Sequence, residues 1–378
     1  MIEESSLRLW KRNLAHPRVW VPEIRLKEYG TSLEFLLPDY ELECVPTENG
    51  PQNGGTTHLS KALEAEVELK LSLQPQLHRP HIDLYKAAIS QVQAVSLLFP
   101  DCHADSVCIC MTAWVGTLCT VDDMLEDMKP LEAEAALQEI ISVLEEKGGR
   151  KYTAARGDAK YVYHTHGSLG TYTTSRSTVA VMVAKFKAHC EKYLPTALSH
   201  AVFRDLSETF QGMQQEMQLK RGSLPYDLDT YMSIRTRTIG IKPLFTLALS
   251  TWRQDHIWSS TLDNIQNEVN MVAGLQNDLI GLEKDLRKGE QANAVIILMG
   301  KHYDQHLDRE DLQKVTKYLC ERHNLAISRL IKQMEDLRRS AHLQDRDQVL
   351  EMVLLDMQLL FSLTHFQWCT SAKRYKGD

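Results

Sequence analysis

The sequence predicts an all-α fold, and three observations carry that reading. Only 18 glycines and 12 prolines punctuate 378 residues, too few for the many turns of an all-β protein. Apolar residues make up 43% and charged residues 25%, the balance of a packed chain rather than a disordered one. From Leu59 onward apolar residues recur three and four apart, with no β-branched alternating runs between them to build an α/β sheet.

Taken in order, residues 1–58 read as an irregular N-terminal segment. Pro17, Pro22 and Pro38 interrupt it, and a Gly-, Asn-, Thr- and Pro-rich loop at 46–58 ends it. Helical spacing then predicts elements over 59–74, 82–98, 106–128 and 131–146. A stretch rich in Gly, Tyr, Thr and His at 148–170 reads as loop. Helices follow over 175–193, 195–220, 228–250, 260–288, 293–300 and 308–341, and a last one over 345–374 bends near its aromatic cluster. No internal repeat or sustained heptad appears. The expectation is one domain over 1–378, with ten or more helices around a common core and 1–58 packed on it.

Charge and cysteine usage narrow the function. Forty-three Lys and Arg against 50 Asp and Glu give a net charge of −7, which argues against a nucleic-acid partner. The 8 cysteines are scattered, with no CxxC pair, and read as reduced thiols. Cys102, His103, Cys108 and Cys110 have no structural-zinc spacing, and His164 and His166 read as loop residues. The acidic start Met1-Ile2-Glu3-Glu4 is unlike a leader, and no 18-residue uninterrupted apolar run predicts a membrane span. A cytoplasmic monomer or homodimer is expected. Walker A, Rossmann and GxSxG motifs are absent, as is DxDD.

Two constellations carry chemistry. Residues 115–128 read VGTLCTVDDMLEDM. On a helix, Asp122 and Glu126 share one face and Asp123 and Asp127 another. Carboxylates stacked four apart repel unless a cation sits between them, and hard oxygen ligands suit Mg²⁺. Residues 277–285 read NDLIGLEKD. There Asn277, Gly281 and Asp285 fall at i, i+4 and i+8 on one helical stripe, with Lys284 beside it. An amide oxygen and a carboxylate on that stripe suit a second Mg²⁺, with water at Gly281. Two cationic pieces complete the set: Arg235 in YMSIRTRTIG, five residues before Gly240, and Arg374 with Tyr375 in the C-terminal WCTSAKRYKGD. Guanidinium groups grip phosphate bidentately, and a tyrosine adds a donor.

In this order the motifs resemble class I terpene synthases of the microbial, fungal and octocoral type. The resemblance covers about residues 110–375, and the whole chain by length. It implies an all-α bundle around a central cavity, and a carbon–oxygen lyase that ionises a linear prenyl diphosphate and cyclises the resulting carbocation. By resemblance, Asp122 and Glu126, with Asp123 and Asp127 as less direct neighbours, belong to the aspartate-rich motif. Asn277 and Asp285 are the outer ligands of the second metal motif, whose middle Ser or Thr is here Gly281. Arg235 matches the diphosphate-sensing arginine, Gly240 the kink after it, and Lys284, Arg374 and Tyr375 the diphosphate donors. The implied cofactor is a cluster of three Mg²⁺ ions, for which Mn²⁺ can substitute. The partner is a small prenyl diphosphate.

Such chemistry needs an apolar, aromatic pocket that shields a carbocation from water. Trp114, Phe245, Trp252, Phe366 and Trp368 are the candidates to line it. No aromatic residue lies between Trp114 and Asp122, so that wall is roomy, which favours a C20 over a C15 substrate. A chain-elongating prenyl diphosphate synthase is the rival enzyme, but its second motif is normally another DDxxD. A non-catalytic relative is the other rival, kept open by Gly281. Asn277→Ala or Arg235→Ala is expected to remove turnover and leave the helices intact.

Overall fold

The computed structural model describes residues 18–40, 57–77, 80–146, 177–251, 260–300, 308–340 and 346–372. The loops expected at 46–58 and 148–170 lie almost wholly or wholly outside them, as do His164, His166, Trp252, Arg374 and Tyr375. The described residues hold thirteen helices: α1 (Thr57–Leu77), α2 (His81–Leu98), α3 (Asp105–Glu126), α4 (Pro130–Glu145), α5 (Thr178–Tyr193), α6 (Thr196–Lys220), α7 (Leu228–Thr238), α8 (Lys242–Ser250), α9 (Ser260–Ile280), α10 (Leu282–Lys288), α11 (Ala294–Met299), α12 (Arg309–Ser340) and α13 (Arg346–Ser371).

Local chemistry sets several starts. Pro130 opens α4, where a missing N–H is harmless. The side chains of Ser177, Asp227 and Asn293 accept hydrogen bonds from the first turns of α5, α7 and α11. Two helices expected to be continuous are interrupted. The 228–250 helix breaks at Gly240, whose φ of +69° is a left-handed conformation that suits glycine. The 260–288 helix breaks at Gly281, whose ψ of −4° lies outside the helical range.

The N-terminal segment is more ordered than its prolines suggest. Strands β1 (Arg18–Trp20), β2 (Glu23–Leu26), β3 (Thr31–Glu34) and β4 (Leu37–Asp39) form two antiparallel pairs, β2 with β3 and β1 with β4. Gly30, at φ +61°, closes the turn. Leu33, Phe35 and Leu37 alternate along one side and are fully buried. They dock on α12 and α13, where Leu36 N–H donates to Asn324 Oδ1 at 2.7 Å.

Two cores result. In the larger, α3 packs against α1, α2, α5 and α8. By length and composition α3 could cross a bilayer, but 67% of its most apolar window is buried within the fold. Fully buried Trp114 anchors it, with Phe186 and Phe210 around the indole. A side chain of that size contributes roughly 1.5–3 kcal/mol or more. The second core joins the β-pairs to α7, α9, α11, α12 and α13 around Phe35, Leu279 and Phe366. The described cysteines are free thiols. Thus α3 and α9, which carry the two acidic motifs, are both embedded helices, and their ends open on one space.

Candidate active site

A cavity of about 720 Å³ lies where the ends of α3, α6, α7, α9, α10 and α13 converge. Asp122, Glu126 and Asp127 reach it from α3 and its C-cap, Asn277 and Asp278 from α9, and Lys284 and Asp285 from α10. Arg235 and Gly240 complete that rim. The deeper wall is aliphatic and aromatic, formed by Leu98, Val115, Leu118, Trp114, Phe361 and Trp368.

The second motif is held by a dense hydrogen-bond set. Arg235 Nη2 donates to Asn277 Oδ1 at 2.6 Å and lies 2.9 Å from Asp278 Oδ1. The arginine side chain crosses α9 over Gly274, where a Cβ would stand 3.0 Å from Arg235 Cγ. Asp278, 1% exposed, also accepts from the Tyr231 hydroxyl at 2.7 Å and from Ala294 N–H at 3.0 Å. Burial pushes its carboxyl above the usual carboxylate range, with Arg235 pulling the other way. Asn293 Nδ2 ties Asp285 Oδ2, at 2.9 Å, to the Asp278 carbonyl at 2.8 Å. Burial pushes Asp285 up to about 6, although Asn293 and Lys284, whose Nζ is 3.7 Å away, oppose it. Asp278, Tyr231 and Asn293 were not singled out from sequence. The Asn-Asp pair at 277–278 was the available signal for the first, whereas the other two depend on tertiary contact.

The first motif is more open. Glu126 Oε2 meets Lys288 Nζ at 3.3 Å, an ion pair in which both side chains are substantially exposed. It joins the end of α3 to the end of α10 and is worth about 0–1 kcal/mol. Behind the motif, Trp114 Nε1–H donates to the Gly240 carbonyl at 2.8 Å. A Cβ on Gly240 would stand 2.6 Å from Leu118 Cδ2, so its backbone approaches α3 as closely as it does because the side chain is missing.

Several expected site residues lie elsewhere. Asp123 is exposed and off the cavity wall, because one residue along a helix turns about 100°. Gly281, which has no side chain to present, is buried and is not among the residues of the cavity wall. Its N–H still donates to the Asn277 carbonyl, and its carbonyl accepts from Asp285 N–H, so Asn277 and Asp285 stay on one side across the break. Phe245 is core, packed between Phe99 and Phe361. Phe366 turns away to Phe35 and Trp20, whereas Phe361, His365 and Trp368 share the cavity face of α13. Trp114 and Trp368 line the cavity. Trp252, Arg374 and Tyr375 lie outside the described residues.

The donor set fits hard divalent cations. All candidate ligands on the cavity are carboxylate or amide oxygens, which suit Mg²⁺. Arg235, Asn293 and Lys288 already direct N–H groups at Asn277, Asp285 and Glu126, as expected where oxygens converge on positive charge. Among the described residues no three His, Cys, Asp or Glu side chains form a ready cluster. Protein oxygens alone therefore offer each ion a partial shell, which water and ligand oxygens would complete.

Residues 113–329, more than half of the chain, match the model of terpene synthase family 2, C-terminal metal binding. Over 183 residues the chain is 28% identical to pentalenene synthase of Streptomyces arenae, a match covering 45% of this chain. That match spans about half the length of this curated relative, 51%. The fold is similar to that of linalool/nerolidol synthase from Streptomyces clavuligerus, with a TM-score of 0.59 and 15% identity over 83% of this chain and 96% of that one. It is likewise similar to hedycaryol synthase, with a TM-score of 0.57 and 17% identity over 89% and 99%.

Proposed function

Because the chain belongs to terpene synthase family 2, whose C-terminal region binds metal, we propose that it is a class I terpene synthase acting as one domain. Its substrate would be geranylgeranyl or farnesyl diphosphate, cyclised to a di- or sesquiterpene with release of diphosphate. The single observation that carries this reading is the sharing of one cavity: Asp122 and Glu126 open on the same apolar-walled space as Asn277, Asp285 and Arg235. The similarity to proteins named for terpene products supports it.

In this reading Asp122 and Glu126 hold divalent ions on one side, and Asn277 and Asp285 on the other. Bound Mg²⁺ would neutralise the charge that develops on the diphosphate as the allylic C–O bond breaks. Arg235, fixed by Asp278, presents its guanidinium to the same oxygens, and Lys284 adds an ammonium. Arg374 and Tyr375 are assigned further diphosphate contacts by resemblance. The wall of Leu98, Val115, Leu118, Trp114 and Trp368 keeps water from the cation, and the two indoles offer it π-faces. Between Trp114 and Asp122 that wall is aliphatic, which favours the C20 chain.

The test is incubation with C10, C15 and C20 prenyl diphosphates and Mg²⁺. Pyrophosphate release is followed, and extracts are analysed by gas chromatography–mass spectrometry. Magnesium-dependent release with cyclic hydrocarbon or alcohol products is expected, and Asp122→Ala should reduce it sharply. A longer diphosphate, formed when isopentenyl diphosphate is added, would make the enzyme a chain elongator instead. No release from any substrate would make the fold a non-catalytic one.

A further inference from the structure

Behind the cavity a row of polar side chains, half-buried at Asn324 and buried beyond it, runs from the N-terminal strands to the cavity wall, and backbone anchors fix where its protons lie. Asn324 accepts from Leu36 N–H through Oδ1, at 2.7 Å, and donates to the Glu34 carbonyl through Nδ2, at 3.1 Å. Its amide can therefore face only one way. His323 Nδ1 is 2.9 Å from that same Oδ1, which has no proton to give, so Nδ1 carries the hydrogen and Nε2 accepts. Gln276 Nε2 donates to the Ser362 carbonyl at 3.0 Å and to His323 Nε2 at 3.1 Å, using both of its N–H bonds. Gln276 Oε1 must then accept, and 2.8 Å away it meets His365 Nδ1. The remaining ring nitrogen of His365, Nε2, is left with its lone pair.

His365 is a wall of the cavity. Its ring stacks on Phe361 at 5.5 Å and 28° and lies 5.8 Å from Trp368, both of which also line that space. Cys369 Sγ stands 3.7 Å from each ring nitrogen, only a weak donor. Gln276 and His323 are fully buried, and His365 is 3% exposed. Burial lowers His323 to about 4 and His365 to about 3, the latter helped by the Arg235 charge. Both rings are thus neutral across the physiological range.

Resting on the cyclase reading above, we propose that His365 Nε2 is the base that ends the reaction. It takes a proton from the carbon beside the cationic centre, the C–H electron pair becomes the double bond of the product, and the positive charge passes to the imidazolium. That ion then gives its proton to the released diphosphate or to water as the cavity opens. A weak base is adequate, since a carbocation is a far stronger acid than any imidazolium, and a neutral ring does not repel the cation. Gln276 and His323 act as positioning residues that hold the tautomer.

Two variants with opposite defects test this. His365→Asn can keep an N–H donor toward Gln276 and loses the ring stack, whereas His365→Phe keeps the stack and loses the donor; both lack Nε2. Per pyrophosphate released, the wild-type product is expected to fall at least fivefold in both, replaced by alcohols or isomers with the double bond elsewhere. A wild-type product ratio in either variant overturns the proposal, as does loss of pyrophosphate release in both with the helices intact, which would place His365 in ionisation. A wild type that releases no pyrophosphate removes the cyclase reading itself, and the base with it. Independently of turnover, nitrogen NMR of the wild type is expected to show His365 and His323 protonated at Nδ1 and untitrated between about pH 5 and 8. An Nε2–H signal for His365 overturns the proposal.

Discussion

The two acidic motifs face one cavity but are built differently. On the α9–α10 side, Asp278, Asn277 and Asp285 are enclosed and hydrogen-bonded to Arg235, Tyr231, Asn293 and the Ala294 backbone. On the α3 side, Asp122 and Glu126 sit on the last turns of a helix, half-buried and exposed, and Glu126 meets one exposed lysine. The first arrangement is set before any ligand arrives. The second takes its final shape from the charge it receives. In such a pair the enclosed motif should govern stability and the open one turnover.

The strongest challenge to that division is Asp278→Ala. It removes the buried carboxylate facing the Arg235 guanidinium, leaving that charge to Asn277 Oδ1 and the Tyr231 hydroxyl to the Ala292 carbonyl, and an expected loss of about 3–5 kcal/mol should appear in urea denaturation. Arg235→Ala belongs to the same class, because it strands the Asp278 carboxyl. The sequence-based expectation of an intact fold therefore holds better for Asn277→Ala than for Arg235→Ala.

Asp122→Ala is the converse. Turnover is expected to drop by roughly 10²–10³-fold, while the denaturation midpoint moves by less than about 0.5 kcal/mol. A loss of stability as large as that of Asp278→Ala would erase the contrast between the motifs.

The helix behind the open motif has an enclosed ion pair of its own. Glu66 and Lys70 are 3.2 Å apart and almost wholly buried, against Gly116 of α3. Burial lifts Glu66 from its ordinary 4.5 to about 7, with Lys70 pulling it down. Between those values the folded protein keeps a proton that the unfolded chain has released. Stability should thus fall as pH rises through that window, by about 3 kcal/mol in all. The difference in unfolding free energy between wild type and Glu66→Gln, measured from pH 4.5 to 8, isolates this slope. A flat difference would mean that the carboxylate stays charged beside Lys70.

The smallest effect is expected from Gly281→Ser. With φ at −79° the position accepts a side chain without a left-handed penalty, so calorimetric Mg²⁺ affinity should be preserved or rise a few-fold. A collapse of activity would assign the glycine to packing.

Much of this was legible in the residues. The helical periods, the acidic clusters at 122–127 and 277–285 and the arginine at 235 lie on contiguous stretches, which spacing reveals. The β-pairs were obscured because each strand has only three or four residues and prolines flank or enter them, although Leu33, Phe35 and Leu37 do alternate. The breaks at Gly240 and Gly281 depend on contacts from α3 and on backbone torsion, which no periodicity encodes. Phe245 and Phe366 fail as pocket residues for a related reason. Aromatic identity shows that a side chain is buried, while its angle around the helix decides which core receives it. His365, Gln276 and His323 come from three helices far apart in the chain, and their row exists only in the folded protein.

The indole N–H of Trp114, resting on the Gly240 carbonyl, splices the open motif's helix to the bend that follows Arg235. That bond, worth about 1 kcal/mol, couples a shift of either side to the other. Loading should accordingly be cooperative, with the metal titration somewhat steeper than independent sites allow, and Trp114→Phe should flatten it.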